Sequence, residues 1–126
     1  IIHVDNICDA TFRRLEALDR RQAFVELADA LSTVPKCCYL KHSAAIAHWR
    51  GKVALIAGNS SEALVQLNLA SSLDAKRASS FYLLGAALVR QQQWLDARTC
   101  LERALQLQPG LASARLELAT GAASHR

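Results

Sequence analysis

The feature that most constrains this chain is a repeat with a period of 34 residues. When residues 44–77 are shifted onto 78–111, small and apolar residues coincide: Gly51 with Gly85, Ala63 with Ala97, Leu67 with Leu101 and Ala70 with Ala104. A fixed period of this length is typical of architectures that stack one supersecondary unit many times. A single unit cannot bury its apolar face alone, so the repeat predicts a solenoid.

Each unit contains two helical stretches joined by a short turn. Apolar residues recur at spacings of three and four from 78 to 90 and again from 95 to 107. Pro109 and Gly110 then end the second stretch, because proline lacks an amide donor and glycine tolerates a left-handed turn. With only 2 prolines and 5 glycines in 126 residues, the chain has too few turn residues for an all-β protein. We therefore predict an all-α fold.

The spaced residues of each unit form a recognisable series. In 78–111 it runs Phe81-x2-Leu84-Gly85-x2-Leu88, Ala97-x3-Leu101-x2-Ala104, Pro109. The unit at 44–77 departs from it with Arg50 at an apolar position and Ala75 in place of the proline. This series resembles the tetratricopeptide repeat, whose signature is W-x2-L-G-x2-Y, A-x3-F and P. The resemblance implies a right-handed solenoid of antiparallel helix pairs.

The resemblance also divides the chain into repeats. Upstream, only Ala23-x3-Leu27-x2-Ala30 and Pro35 match, so the first copy is degenerate. We expect one domain over 1–126, with three helix pairs and a capping helix: repeat 1 at about 4–37, an insertion at 38–43, repeat 2 at about 44–77, repeat 3 at about 78–111, and an end helix at 112–123. Because the sequence contains no methionine, we also expect it to be a fragment of a larger protein.

By resemblance, the first helix of each repeat lines a concave groove. The candidate lining residues are His48, Lys52 and Ile56 in repeat 2 and Tyr82, Ala86, Val89 and Arg90 in repeat 3, with Ala45, Leu55, Ser79, Ser113, Leu116 and Thr120 beside them. An apolar floor with a few cationic groups suits a peptide that carries some negative charge. The alternative is that these are merely exposed side chains and the ligand binds elsewhere.

Some family members hold a peptide's terminal carboxylate with a set of lysine, arginine and asparagine residues on the concave face. Here Lys52 stands at an asparagine position of that set, His48 at a lysine position and Leu83 at the second asparagine position. We therefore do not expect this chain to bind chaperone tails by that clamp.

Motifs for catalysis or cofactor binding are missing from the sequence. It contains no glycine-rich phosphate loop, no Gly-x-Ser-x-Gly and no HExxH. Cys38 and His42 could share a metal ion on a helix, but the adjacent Cys37 and Cys38 do not give the Cys-x2-4-Cys spacing of zinc sites. Four cysteines in a helix-rich chain also do not suit a disulfide framework. We expect free thiols, no metal, no cofactor and a cytoplasmic location.

Three functional hypotheses remain, none of them enzymatic. The first is a protein-interaction module that binds a peptide or protein segment in the concave groove. The second is a structural or assembly arm of a larger enzyme or secretion complex, which self-associates or binds through its convex face or ends. The third is RNA binding, but the net charge of +4 is spread over the chain, which argues against it. No apolar run is long enough to cross a membrane.

Overall fold

The computed structural model describes the backbone of residues 4–124 and the side chains of residues 7–120. Within 4–124 the chain forms helices and no strand: α1 (Val4–Arg20), α2 (Phe24–Ser32), α3 (Ser43–Ile56), α4 (Ser60–Leu73), α5 (Ala78–Arg90), α6 (Trp94–Leu107) and α7 (Ala112–Ser124), with a short 3-10 helix (Lys36–Cys38) before α3. Successive helices pack against each other. The predicted all-α solenoid of helix pairs is thereby confirmed. None of the described helices is long and apolar enough to span a membrane.

The repeated glycines allow the two helices of a pair to approach closely. A Cβ atom on Gly85 would lie 2.6 Å from Cγ of Leu101 and 3.3 Å from the carbonyl oxygen of Ala97. Gly51 faces Leu67 in the same way, one repeat earlier. Each leucine is fully buried in its repeat. A side chain on either glycine would push α3 from α4 or α5 from α6, so the motif has a direct packing cause.

The turn inside each helix pair contains one residue with a left-handed backbone. These residues are Gln22 (φ 58°), Gly58 (φ 87°) and Gln92 (φ 61°). Glycine adopts this conformation without a steric penalty, whereas a residue with a Cβ atom carries a cost of about 1 kcal/mol. Only the middle repeat has glycine, the residue that favours this turn, at this position.

The extra residues before α3 form the 3-10 helix and a loop, and they do not extend α3. They supply Tyr39, whose hydroxyl accepts a hydrogen bond of 2.6 Å from Nη2 of Arg50. The Arg50 guanidinium also lies 4.7 Å from the centre of the Tyr39 ring. Arg50, which departs from the family pattern, is therefore held by a residue of the insertion.

The prediction of four free thiols is wrong for two of them. Cys8 on α1 and Cys38 at the end of the 3-10 helix form a disulfide, with Cα atoms 5.2 Å apart. Both are buried, because the 3-10 helix packs against α1 and brings the cysteines together across 30 residues of sequence. Cys37 remains an exposed thiol and Cys100 a half-buried one.

Candidate peptide-binding groove

The seven residues predicted to line the groove lie on α3 and α5, the first helices of neighbouring pairs. Ile56 and Arg90 are exposed, and each is the last residue of its helix. Lys52, Tyr82 and Val89 are half-buried, whereas His48 and Ala86 are buried. The surface that these residues offer to a ligand therefore concentrates at the carboxyl-terminal ends of α3 and α5.

His48 lies in the contact between α3 and α5, with only 4% of its surface exposed. Its Nδ1 atom lies 2.9 Å from the hydroxyl of Ser80, which is equally buried. Burial, together with the positive charges of Arg77 and Lys52, lowers the pKa of His48 from 6.5 to about 4, while the charge of Asp19 opposes this shift. The imidazole is therefore neutral at pH 7. It connects α3 to α5, and its burial leaves little of its surface for contact with a ligand in the groove.

Lys52 contacts two residues of the first repeat. Its Nζ atom donates a hydrogen bond of 2.6 Å to Oδ1 of Asp19 on α1, and both side chains are about three-quarters buried. The same ammonium group lies 5.5 Å from the centre of the Phe24 ring on α2. Lys52 thus connects α3 to the first helix pair. A ligand carboxylate would have to compete with Asp19 for the ammonium group of Lys52.

Arg90 has one donor occupied and remains exposed. Its Nη1 atom donates a hydrogen bond of 2.6 Å to the carbonyl oxygen of Leu55, in the last turn of α3. The same carbonyl accepts a backbone hydrogen bond of 3.1 Å from the N–H group of Gly58, so the arginine adds a second bond at the helix end. Because a guanidinium carries five N–H donors, others stay available beside the exposed Ile56, which follows Leu55 directly. An exposed cation and an exposed apolar residue thus lie at the same end of α3.

Tyr82 turns toward the end helix. Burial and the nearby Glu117 raise the pKa of the Tyr82 hydroxyl, whereas a hydrogen bond with the Ser113 side chain and the positive charge of Arg90 oppose this shift. The phenol therefore stays protonated at neutral pH. Of the wider set, Ala45 and Leu55 are buried, while Ser79, Ser113, Leu116 and Thr120 are exposed.

Two concave features escaped the sequence analysis. The larger is a cleft of about 540 Å³ between α6 and α7, which the end of α5 closes; it is lined mainly by Val89, Trp94, Leu95, Leu101, Glu117 and Leu118. The smaller, of about 380 Å³, is lined by Phe12 of α1, by Lys41 and His42 of the loop before α3, and by the first residues of α3. Among the residues that line the two features, only Val89 and Ala45 had been predicted to line a binding surface, because the sequence does not show where helices diverge.

The suggested Cys38–His42 metal pair is replaced by other contacts. Cys38 is bonded to Cys8, and the His42 ring stacks on Phe12 with centroids 4.4 Å apart. Nε2 of His42 lies 3.4 Å from Oδ1 of Asp9. Among side chains 7–120, the metal-ligating atoms that do cluster are the sulfurs of Cys8, Cys37 and Cys38.

Comparisons with known proteins agree with this architecture. Residues 78–111 match the tetratricopeptide repeat family. No curated protein matches the chain, whereas 17 chains among solved structures do. One of them is the first TPR of Spaghetti (RPAP3) bound to the HSP90 peptide SRMEEVD. It superposes with a TM-score of 0.77 and 18% identity, over 93% of this chain and 91% of that chain.

The sequence match and the structural match identify the same architecture at two scales. The sequence match covers the repeat whose helices α5 and α6 pack through Gly85 and Leu101. The structural match covers 93% of the chain and so includes the first helix pair, where the repeat motif is degenerate. Residues 78–111 are a tetratricopeptide repeat, and the chain as a whole has the fold of a tetratricopeptide-repeat domain.

Proposed function

We infer that this chain is a non-catalytic protein-interaction module, which binds a peptide segment across the carboxyl-terminal ends of α3 and α5. The observation that carries this proposal is the pairing of Arg90 with Ile56. Arg90 is exposed and fixed to the end of α3 by its bond to the Leu55 carbonyl. Ile56 is 52% exposed directly beside that carbonyl. A held cation next to an apolar side chain suits a ligand with a carboxylate close to an apolar residue.

The structural relative supports a peptide ligand and also limits its chemistry. That relative binds the HSP90 peptide SRMEEVD. In this chain Lys52 is paired with Asp19, and His48 is buried and neutral. Neither is free to hold a terminal carboxylate as a lysine–asparagine clamp does. We therefore propose an acidic and apolar peptide whose recognition depends on Arg90 and does not require a free carboxyl terminus.

The proposal is tested by selecting ligands from a random peptide library displayed on phage and comparing two charge reversals. Arg90→Glu removes the groove cation, while Arg103→Glu makes the same charge change at an exposed position on α6. We expect selected peptides to be rich in Asp and Glu and to lose at least about tenfold in affinity, or 1.4 kcal/mol, for Arg90→Glu alone. Synthetic SRMEEVD should bind more weakly than the selected peptides.

Two results would contradict the groove. The first is equal binding of the selected peptides to both variants when circular dichroism shows both to be folded. The second is a selection that enriches no peptide over a control without protein.

A second candidate function is an assembly arm, and the α6–α7 cleft favours it. Leu95 and Leu116 are 72% and 69% exposed on these helices, and the cleft has an apolar wall. On this proposal a second copy covers the cleft. Sedimentation across a range of concentrations should then show a dimer that Leu95→Glu dissociates. A monomer at every concentration would remove this candidate.

The compartment is a separate proposal. The cytoplasm was expected from free thiols, but disulfides persist mainly in oxidising compartments, so the Cys8–Cys38 bond favours an oxidising one. Alkylating the protein in freshly lysed cells tests this, because only reduced Cys8 and Cys38 take up the reagent.

A further inference from the structure

Three cysteines from two distant parts of the sequence meet near the amino-terminal end of the domain. Cys8 lies on α1, and Cys37 and Cys38 lie on the 3-10 helix. Their three sulfur atoms all lie within 4.8 Å of one another. Cys8 and Cys38 share the disulfide, while the Cys37 thiol is exposed. The proposed peptide groove uses none of them.

The spacing fits a metal site once the disulfide is opened. Thiolates are the preferred ligands of Zn(II) and Cu(I), which accept three or four donors. Around a tetrahedral zinc ion with Zn–S bonds of about 2.3 Å, sulfurs lie about 3.8 Å apart. The Cys37 sulfur lies within 4.8 Å of both others, so a shift of about 1 Å brings it to this separation. With Cα atoms 5.2 Å apart, Cys8 and Cys38 reach the required separation by side-chain rotation.

Burial gives the cluster an inner and an outer side. Cys8 and Cys38 are 2% and 1% exposed, so two ligands lie in the core of the first repeat. Cys37 is at the surface, where it offers an ion a path of entry and leaves room for a water molecule as fourth ligand. Three thiolates with a divalent ion carry one negative charge, and Lys36 stands next to Cys37 in the sequence.

We propose that Cys8, Cys37 and Cys38 bind one thiophilic d10 cation, Zn(II) or Cu(I), when the disulfide is reduced. A dithiol supplies the two electrons: its own sulfurs form a disulfide, and Cys8 and Cys38 become thiols. The three thiols then release three protons as their sulfurs bind the ion. The oxidised form and the metal-bound form both connect α1 to the 3-10 helix. Only the reduced, metal-free form lacks this connection.

The experiment uses the purified chain, reduced with a dithiol and freed of it by anaerobic gel filtration. Cd(II) is the probe, because thiolate binding gives a charge-transfer absorption in the ultraviolet. We expect saturation at one equivalent and a higher thermal midpoint with the ion than without it. Zn(II) and Cu(I) are then added in competition. The ion that displaces cadmium at the lower concentration is the cation that the site prefers.

Two cysteine variants make the test specific. Cys37→Ser changes an exposed residue, so the fold should persist while the affinity for cadmium falls at least about tenfold. Cys100→Ser removes a thiol outside the cluster and should bind like the wild type. The unreduced protein should bind no ion at this site, because two of the three sulfurs are oxidised.

Three results would overturn the proposal. They are wild-type affinity in Cys37→Ser, equal binding before and after reduction, and no binding by the reduced wild type with its helices intact. If reduction unfolds the first repeat, circular dichroism decides: recovery of the helical signal with Cd(II) supports the site, and no recovery contradicts it.

Discussion

The first and last helix pairs of this domain reach the same fold by different means. Leu27 and Leu101 occupy equivalent positions on α2 and α6, and both are fully buried. In the last pair, Gly85 on α5 makes room for Leu101. The equivalent residue on α1 is Thr11, whose hydroxyl bonds back to the Ile7 carbonyl. The repeat motif therefore specifies α5–α6 packing fully, but α1–α2 packing only from the side of α2.

Specific contacts replace the missing motif on α1. Cys8 bonds covalently to Cys38, Phe12 stacks on His42, and Asp19 pairs with Lys52. All three connect α1 to residues outside its own pair. The comparison teaches that a degenerate repeat can keep its place in a solenoid through a few contacts to the next repeat, provided that its second helix keeps the buried motif.

The largest effect should come from removing the covalent link. Replacing both cysteines, Cys8→Ala with Cys38→Ala, should lower the stability of the first helix pair by about 2–4 kcal/mol. Hydrogen exchange followed by mass spectrometry should show faster exchange in α1 and the 3-10 helix, with α5 and α6 unchanged. Equal loss of protection in both regions would show that the two pairs are not held differently.

Acid should weaken the junction between the middle and last helix pairs, where His48 on α3 contacts Ser80 on α5. Folding depresses the pKa of His48 from 6.5 to about 4, so below pH 6.5 the unfolded chain takes up the proton first. Stability should therefore fall between about pH 6.5 and 4, by roughly 3 kcal/mol in total. Urea unfolding at several pH values measures this. His48→Asn removes the titrating group, and a variant with the wild-type pH dependence would contradict the assignment.

A leucine introduced at equivalent positions of α1 and α5 tests whether the two helix pairs pack differently. Gly85→Leu should cost about 1–3 kcal/mol or more, because the new side chain collides with Leu101. Thr11→Leu, at the equivalent position of α1, should cost less than about 1 kcal/mol, since a side chain is already accommodated there. Thermal unfolding measures both. Equal losses would mean that α1 and α5 pack in the same way after all.

The smallest effect concerns the turn of the last repeat. Gln92→Gly should raise stability by up to about 1 kcal/mol, because glycine removes the steric cost of the positive φ. Gln92→Ala is the control, since alanine keeps the Cβ atom and with it the steric cost of the positive φ. A gain in both variants or in neither would show that the left-handed turn is not a source of strain.

The sequence predicted the elements that repeat and missed those that occur once. Gly51, Gly85, Leu67 and Leu101 recur at a fixed period, so their packing could be predicted. The Cys8–Cys38 bond, the His48–Ser80 hydrogen bond and the Lys52–Asp19 ion pair each join residues about 30 apart. No local pattern reports such contacts, because they depend on the angle between helix pairs. For the same reason, the burial of His48 and Ala86 could not be foreseen.

The most direct test of the functional account is to map a selected acidic peptide on the isotope-labelled domain by NMR. The account predicts the largest chemical-shift changes at the carboxyl-terminal ends of α3 and α5, around Lys52, Ile56 and Arg90. The first helix pair, engaged in its own contacts, should change little. Changes confined to the α6–α7 cleft, or to α1 and the 3-10 helix, would contradict the groove and transfer the binding function to that surface.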